Sequence, residues 1–244
     1  MPGLPPGLVE AVRGARRVVA LTGSGISAES GVPTFRDAQT GLWARYDPQE
    51  LATPEAFARD PELVWRWYAW RRDLVERASP NAGHEALARL ERSVCAFLLI
   101  TQNVDGLHQE AGSEGVVELH GNLRRSRCPL EGVTVEDDGT DHLPPLCPSC
   151  GSPLRPDVVW FGEALPAAGL EAASEAARSC DLLLSVGTSG LVYPAASLPY
   201  EALESGATVV EVNPEPTPLS PAAHFSLRGR AGEVLSGLVR SAFG

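Results

Sequence analysis

Short aliphatic runs that end in polar clusters recur along this chain. Val18–Leu21, Ala96–Thr101, Val116–Leu119, Leu182–Val186 and Val209–Val212 are apolar almost throughout, the pattern of strands buried on both faces of a parallel sheet. Between them the period lengthens to that of helices. Leu4 to Ala15 reads as a short amphipathic helix, and a further helix is expected after the glycine turn that follows Leu21. Pro54 to Arg77 reads as one helix with two adjacent stripes, Leu63, Trp67, Trp70, Leu74 and Val64, Tyr68, Arg71, Val75. Ser79-Pro80-Asn81 breaks it, and Asn81 can cap the next helix, Ala82 to Glu91. Residues 123 to 155 carry neither period and are rich in Pro and Gly, which predicts a small module held by a metal or by packing. The fold class is therefore α/β, with a parallel sheet flanked by helices.

The polar clusters carry the candidate chemistry. Gly23-Ser24-Gly25-Ile26-Ser27-Ala28 fits G-x-G-x-x-(G/A), a turn in which backbone amides can approach a pyrophosphate at a helix N-terminus. Gln102-Asn103-Val104-Asp105, His120-Gly121-Asn122, Gly187-Thr188-Ser189 and Asn213 follow the later runs, at the carboxyl ends where open α/β sheets bind ligands. A hydride-transferring dinucleotide enzyme would place a second strand within ~30 residues, ending in an acidic ribose ligand. No such strand appears, so an insertion occupies its place.

Composition narrows the picture. With 244 residues, 43% hydrophobic and 21% charged, the chain suits one large domain with a smaller insertion. The formal net charge of -11 argues against nonspecific nucleic-acid or anionic-membrane binding, although Arg124-Arg125-Ser126-Arg127 is locally basic. Every basic residue is Arg, so a lysine-directed reaction would find no side chain for self-modification. No apolar run reaches the ~18 residues of a membrane span and the N-terminus lacks signal-peptide features, so a cytoplasmic location is expected. Of Cys95, Cys128, Cys147, Cys150 and Cys180, two are spaced C-x-x-C, which in a reducing compartment suggests metal more than disulfides.

The segments GSGISAESGVPTFR, TQNVDGLH, HGN, RPDVVWFGE, VGTS and RGRAGEVL, in this order and over nearly the whole chain, resemble the sirtuin family of NAD-dependent protein lysine deacylases. The resemblance implies a Rossmann-type NAD-binding domain of residues 1–33, 81–122 and 156–244. A small domain would comprise a helical insertion, 34–80, and a Cys-containing module, 123–155. It implies acyl-lysine proteins or peptides as partners, and an acyl group transferred to ADP-ribose with release of nicotinamide. His120 would be the base, which suits an imidazole whose unperturbed pKa is ~6.5, and Asn103 and Asp105 would complete the catalytic set. NAD would be held by Gly23, Ser24, Gly25, Ile26, Phe35, Arg36, Trp43, Gln102, Asn103, Val104, Asp105, Gly187, Thr188, Ser189, Asn213, Pro214, Glu215 and Ala231. Ser24 stands where the family usually has alanine. The peptide would pair as an added strand with Val158, Val159, Trp160, Phe161 and Gly162. His84, His108, His142 and His224 are read as structural.

One departure from the family pattern and one further likeness carry expectations. Sirtuins bind a structural zinc through two C-x-x-C pairs, but here Glu131 follows Cys128 where the second cysteine belongs. Cys128, Cys147 and Cys150 remain, with Glu131 or His142 as the candidate fourth ligand; a carboxylate reaches zinc at ~2.0–2.2 Å. In Tyr68-Ala69-Trp70-Arg71 the Y-x-x-R spacing puts a phenol and a guanidinium on one helix face. This pair resembles the acyl-pocket signature of the class III, desuccinylase and demalonylase sirtuins, and predicts a preference for succinyl and malonyl groups over acetyl. Protein ADP-ribosyl transfer and a noncatalytic NAD or ADP-ribose binder are the other classes weighed. Neither nucleic acid nor membrane is expected as a partner.

Overall fold

The computed structural model describes residues 4–33, 46–136 and 143–244. Phe35, Arg36, Trp43 and His142 lie outside the described residues. Six parallel strands form the main sheet: β1 (Arg17–Thr22), β2 (Ala96–Thr101), β3 (Val116–Glu118), β7 (Leu182–Val186), β8 (Thr208–Val212) and β9 (Phe225–Leu227), in the order β3-β2-β1-β7-β8-β9. This is the Rossmann arrangement, running outward from β1 in one direction and from β7 in the other, with the switch point between them. The insertion predicted after β1 separates it in sequence from β2, yet β2 returns to pair with it along Arg17–Thr22.

Alternation explains why the strands are apolar at consecutive positions. Val18 and Ala20 face a core built with α1 (Leu8–Gly14), α6 (Ala82–Ser93) and α10 (Ala231–Phe243), while Val19 and Leu21 face one built with α8 (Ala167–Ser179) and α9 (Leu198–Glu204). Each strand residue thus meets one helical layer or the other. α1 starts four residues later than expected because Pro5 and Pro6 precede Gly7, which takes a left-handed φ of 81°. Asn81 caps α6 as expected, its side chain accepting from the Gly83 amide at 2.8 Å. β9 was not foreseen; it is three residues long and has too little pattern to read.

The helical region departs from a single 54–77 helix. It is split into α4 (Pro54–Arg59) and α5 (Pro61–Glu76) at Asp60, whose carboxylate caps α5 by accepting from the Leu63 amide at 3.0 Å. The cause is Pro61, which pushes Asp60 out of helical geometry and tolerates only the first turn of a new helix. Val64, Trp65, Trp67, Tyr68 and Val75 are the buried positions of α5, whereas Leu63, Trp70 and Leu74 are half-buried. The expected pair of equal stripes is corrected accordingly.

Residues 123–155 also differ from the expected patternless module. β4 (Gly121–Arg127) pairs antiparallel with β5 (Thr134–Glu136) and β6 (Arg155–Val158) in a second, three-stranded sheet. The β4 sequence, GNLRRSR, hides its strand because two of its arginines are held by ion pairs: Arg124 reaches Glu110 at 2.7 Å, and Arg125 reaches Glu118 at 2.6 Å and Asp157 at 3.1 Å. Trp65 of α5 donates to the Leu154 carbonyl at 2.7 Å and packs with Cys128 and Cys147, so the helix and the module share a small core. Among the described residues no helix is long and apolar enough to cross a membrane.

Candidate active site

The loops after β1, β2, β7 and β8 meet at the carboxyl edge of the sheet. A Cβ on Gly25 would lie 2.7 Å from the Gly187 carbonyl oxygen and one on Gly23 would lie 2.9 Å from it, so both glycines are required by backbone contact alone. The Gly23 amide donates to Val186 O at 3.0 Å and the Gly25 amide to Gly187 O at 2.8 Å. These two amides are therefore engaged within the fold. The short helix α2 (Ser24–Ser27) follows, with Ser24 exposed. Ile26, expected among the residues that hold NAD, has its side chain wholly buried in the core with α6 and α10.

Thr188 gathers its neighbours. Gln102 Nε2 donates to Thr188 Oγ1 at 3.2 Å and Asn213 Nδ2 to Thr188 O at 2.8 Å. Ser189 follows it in the same loop. Asn213-Pro214-Glu215 is held by Arg228, whose Nη1 donates to Glu215 O at 3.1 Å and to the Glu211 carboxylate at 2.9 Å. Ala231 opens α10.

A buried polar group surrounds the two expected β2 residues. Asn103 Nδ2 donates to Gly23 O at 3.1 Å and Ser27 Oγ at 3.0 Å, which orients the amide and leaves its Oδ1 without a donor among the described residues. Asp105, almost fully buried, accepts from Ser27 Oγ at 2.7 Å and the Leu107 amide at 3.0 Å. His84 lies 3.4 Å from Ser27 Oγ and edge-on to His108, whose Nε2 meets Thr22 Oγ1 at 2.9 Å. Burial pushes His108 down to about 3, helped by His84. Burial also lowers His84, against the pull of Asp105 and Glu29. Both rings are therefore neutral near pH 7. Ser27 and His84 were missed as members of this group; the Asn81-x-x-His84 capping pattern marks where His84 turns inward.

His120 sits in the turn between β3 and β4. Its Nδ1 lies 3.0 Å from Gln102 O, and only an N–H can bind a carbonyl, so Nδ1 carries the proton and Nε2 is the free lone pair. Burial lowers its pKa, partly offset by the Gln102 contact. A neutral imidazole with Nε2 available is what a general base requires. On the other side the Val159 amide donates to His120 O at 2.9 Å, joining His120 to the 158–162 segment. Within that segment the amides of Val159, Trp160 and Phe161 are bound to His120 O, Glu163 Oε2 and Ala52 O. Those three amides are not open to an added strand; Gly162, exposed at φ 85°, turns the chain beyond them.

Tyr68 lies under this segment, with Arg71 beside it on α5. Tyr68 is buried, and Trp160 Nε1 donates to its hydroxyl at 2.9 Å. The Arg71 guanidinium stands over the Trp67 ring at 5.1 Å and the Tyr68 ring at 5.7 Å. Burial lowers the Arg71 pKa, with Tyr68 and Asp105 opposing it. Burial pushes the Tyr68 phenol up to about 12, against Arg71. Val104, next to Asp105, packs in the same cluster as Tyr68, Trp67, Val158 and Trp160.

The cysteine module brings Cys128, Glu131, Cys147 and Cys150 together, one ligand atom from each lying within 4.8 Å of the others. Cys128 Sγ is 3.6 Å from Cys150 Sγ, Cys147 Sγ is 3.6 Å from Glu131 Oε2, and Ser152 Oγ approaches Cys128 and Cys150 at 3.3 and 3.0 Å. The Ser152 contact leads in drawing the Cys128 thiol down to about 7. Three sulfurs and one carboxylate in this compass fit a tetrahedral zinc. Glu131 thus stands in for the missing cysteine geometrically as well as in sequence.

Comparisons with known proteins agree with this arrangement. The Sir2 family model matches residues 23–194. "NAD-dependent protein deacylase 2" of Pyrobaculum aerophilum is 58% identical over 226 residues, 92% of this chain and 90% of that protein. A crystal structure of a Sir2 homolog–NAD complex superposes with a TM-score of 0.92 at 50% identity, covering 98% of this chain and 94% of the other. A substituted Sir2 homologue in complex with 2'-O-acetyl ADP ribose gives 0.90 at 51% identity, covering 98% and 96%. Matched by the family model over most of its length and by a relative more than half identical to it, the chain belongs to the Sir2 family.

Proposed function

We propose that this NAD-dependent protein deacylase acts on lysines bearing acidic acyl groups, succinyl and malonyl, in preference to acetyl. NAD fits the residues present: the loops after β1, β2, β7 and β8 converge, and Asn103 Oδ1 and His120 Nε2 both lack partners among the described residues. When bound it supplies the ribose carbon that takes the acyl oxygen and the hydroxyl that receives the acyl group. His120 removes the proton of that hydroxyl at Nε2, and its lowered pKa keeps it unprotonated at neutral pH. Asn103, tied by both hydrogens of its amide, offers Oδ1 to a ribose hydroxyl or water. Asp105, gripped by Ser27 and Leu107, is positioned to receive the nicotinamide amide. The combination of His120, Asn103 and Asp105 favours a catalyst over a noncatalytic binder.

The preference rests on one observation: a half-buried guanidinium, Arg71, stacked over the rings of Trp67 and Tyr68, the latter bound to Trp160 of the segment that meets His120. An arginine fork grips a carboxylate through charge-assisted hydrogen bonds that acetyl cannot accept. The test is Arg71→Met, assayed with succinyl and acetyl forms of one peptide. Succinyl turnover should fall at least about tenfold, with acetyl turnover much less affected. Equal losses would assign Arg71 to the fold. The five cysteines, all free, suit a reducing compartment, and the cytoplasm is the location proposed.

A further inference from the structure

Trp160 occupies a position that peptide contact alone does not explain. It is buried, its amide donates to Glu163 Oε2 at 2.8 Å, and its ring lies under the Arg155 guanidinium at 3.4 Å. Arg155 is itself fixed by both Glu163 oxygens, at 2.5 and 2.8 Å, and by Val158 O at 2.9 Å. The indole therefore has one orientation. From it, Nε1 points at the Tyr68 hydroxyl at 2.9 Å.

The direction of that bond follows from the groups. An indole N–H can only donate, so the Tyr68 oxygen accepts and its own proton must go elsewhere. Arg71, which also faces the Tyr68 hydroxyl, has no acceptor to offer. Among the described residues no acceptor receives the Tyr68 proton, although the side chain is 1% exposed. The phenol stays protonated at any physiological pH, as burial raises its pKa. The buried Tyr68 O–H is thus a donor with no acceptor among the described residues, and it lies beside the half-buried Arg71 guanidinium.

We propose that Trp160 is a specificity-positioning residue, which by donating to Tyr68 commits the Tyr68 hydroxyl to donate to the carboxylate end of an acyl group. The Arg155–Glu163 pair acts behind it by fixing the indole. This inference rests on the reading of Arg71 and Tyr68 as the acyl pocket. It adds that selectivity is set partly from the 158–163 segment and not from α5 alone.

A double-mutant cycle tests it. The kcat/KM values for succinyl and acetyl forms of one peptide are measured for the parent protein, Trp160→Phe, Tyr68→Phe and the double variant. Using the two acyl forms of one sequence cancels effects on peptide binding. Trp160→Phe keeps an aromatic ring and removes the N–H together with the five-membered ring that carries it. It should lower the succinyl-to-acetyl ratio by roughly three- to tenfold. In the Tyr68→Phe background it should lower the ratio no further. Effects that multiply, or a Trp160→Phe loss equal for both peptides, would overturn the proposal. If Trp160→Phe misfolds, benzothienylalanine at position 160 replaces the N–H by sulfur at nearly constant shape and is read the same way. Arg71→Met separates the two readings: selective loss there with an unchanged ratio in the Trp160 variants sinks only this inference. A parent protein with no succinyl preference sinks both.

Discussion

At the carboxyl edge of the sheet Asn103 uses both hydrogens of its amide on Gly23 and Ser27, and Gln102 and Asn213 both reach Thr188. Under the 158–163 segment, by contrast, Tyr68 accepts from Trp160 and has a proton left to give, beside the half-buried Arg71 guanidinium. The first wall is cross-linked before any ligand arrives; the second is organised but electrostatically incomplete. Cross-linking suits a site that must present one fixed geometry to one cofactor, since preorganised groups need not rearrange in the reaction. Incompleteness suits selection, because a ligand that fails to supply an acceptor leaves the buried Tyr68 hydroxyl proton unpaired.

The largest expected effect lies on the cross-linked wall. His120→Ala should lower deacylation by ~10²- to 10⁴-fold, the usual cost of losing a general base. NAD affinity, measured by calorimetry, should change little, because the neighbouring loops hold one another without His120. A large loss of NAD binding would show that the wall is not self-supporting. In the intact protein the acid limb of the pH–rate profile should lie below pH ~6.5, since the base must be unprotonated and burial lowers its pKa.

A second effect is on stability. His108 is held at about 3, while in the unfolded chain it protonates near pH ~6.5. The unfolded state therefore binds a proton that the native state refuses. Stability present above pH ~6.5 is lost as pH falls, by up to ~1.36 kcal/mol per unit for this one group until about 3. His84, shifted in the same direction, adds to the slope. Urea unfolding at pH 7 and pH 5 checks this, and a flat profile would mean that the buried histidine pair opens to water.

The cysteine module should respond more gently. Glu131→Cys should raise zinc retention against a chelator, and Glu131→Ala should lower it, because zinc in closed sites favours thiolate over carboxylate. Elemental analysis after dialysis reads both. Unchanged retention in Glu131→Ala would remove Glu131 from the ligand set. The smallest effect is at Ser24, an exposed residue in the turn; Ser24→Ala should change stability by no more than about 0.5 kcal/mol, measured by thermal unfolding.

Local sequence determined the strands and their ends. Runs such as Leu182–Val186 are buried on both faces, so their composition alone announces a central parallel strand, and the polar residues that follow are placed by the chain's own continuity. His120, Asn103 and Asp105 were legible for that reason, as was Asn81 at its cap. The break at Asp60–Pro61 was legible in principle and was overridden by the helical period on either side. Tertiary structure decided what depends on partners far away in sequence. β4 is a strand because Glu118 and Asp157 neutralise Arg125, and no window of seven residues contains that information. Ile26 faces the core and not the cleft because Gly25 packs on Gly187. Trp160 and Tyr68 are 92 positions apart, and only the fold brings the indole N–H to the Tyr68 hydroxyl; the direction of the bond then follows from the two groups.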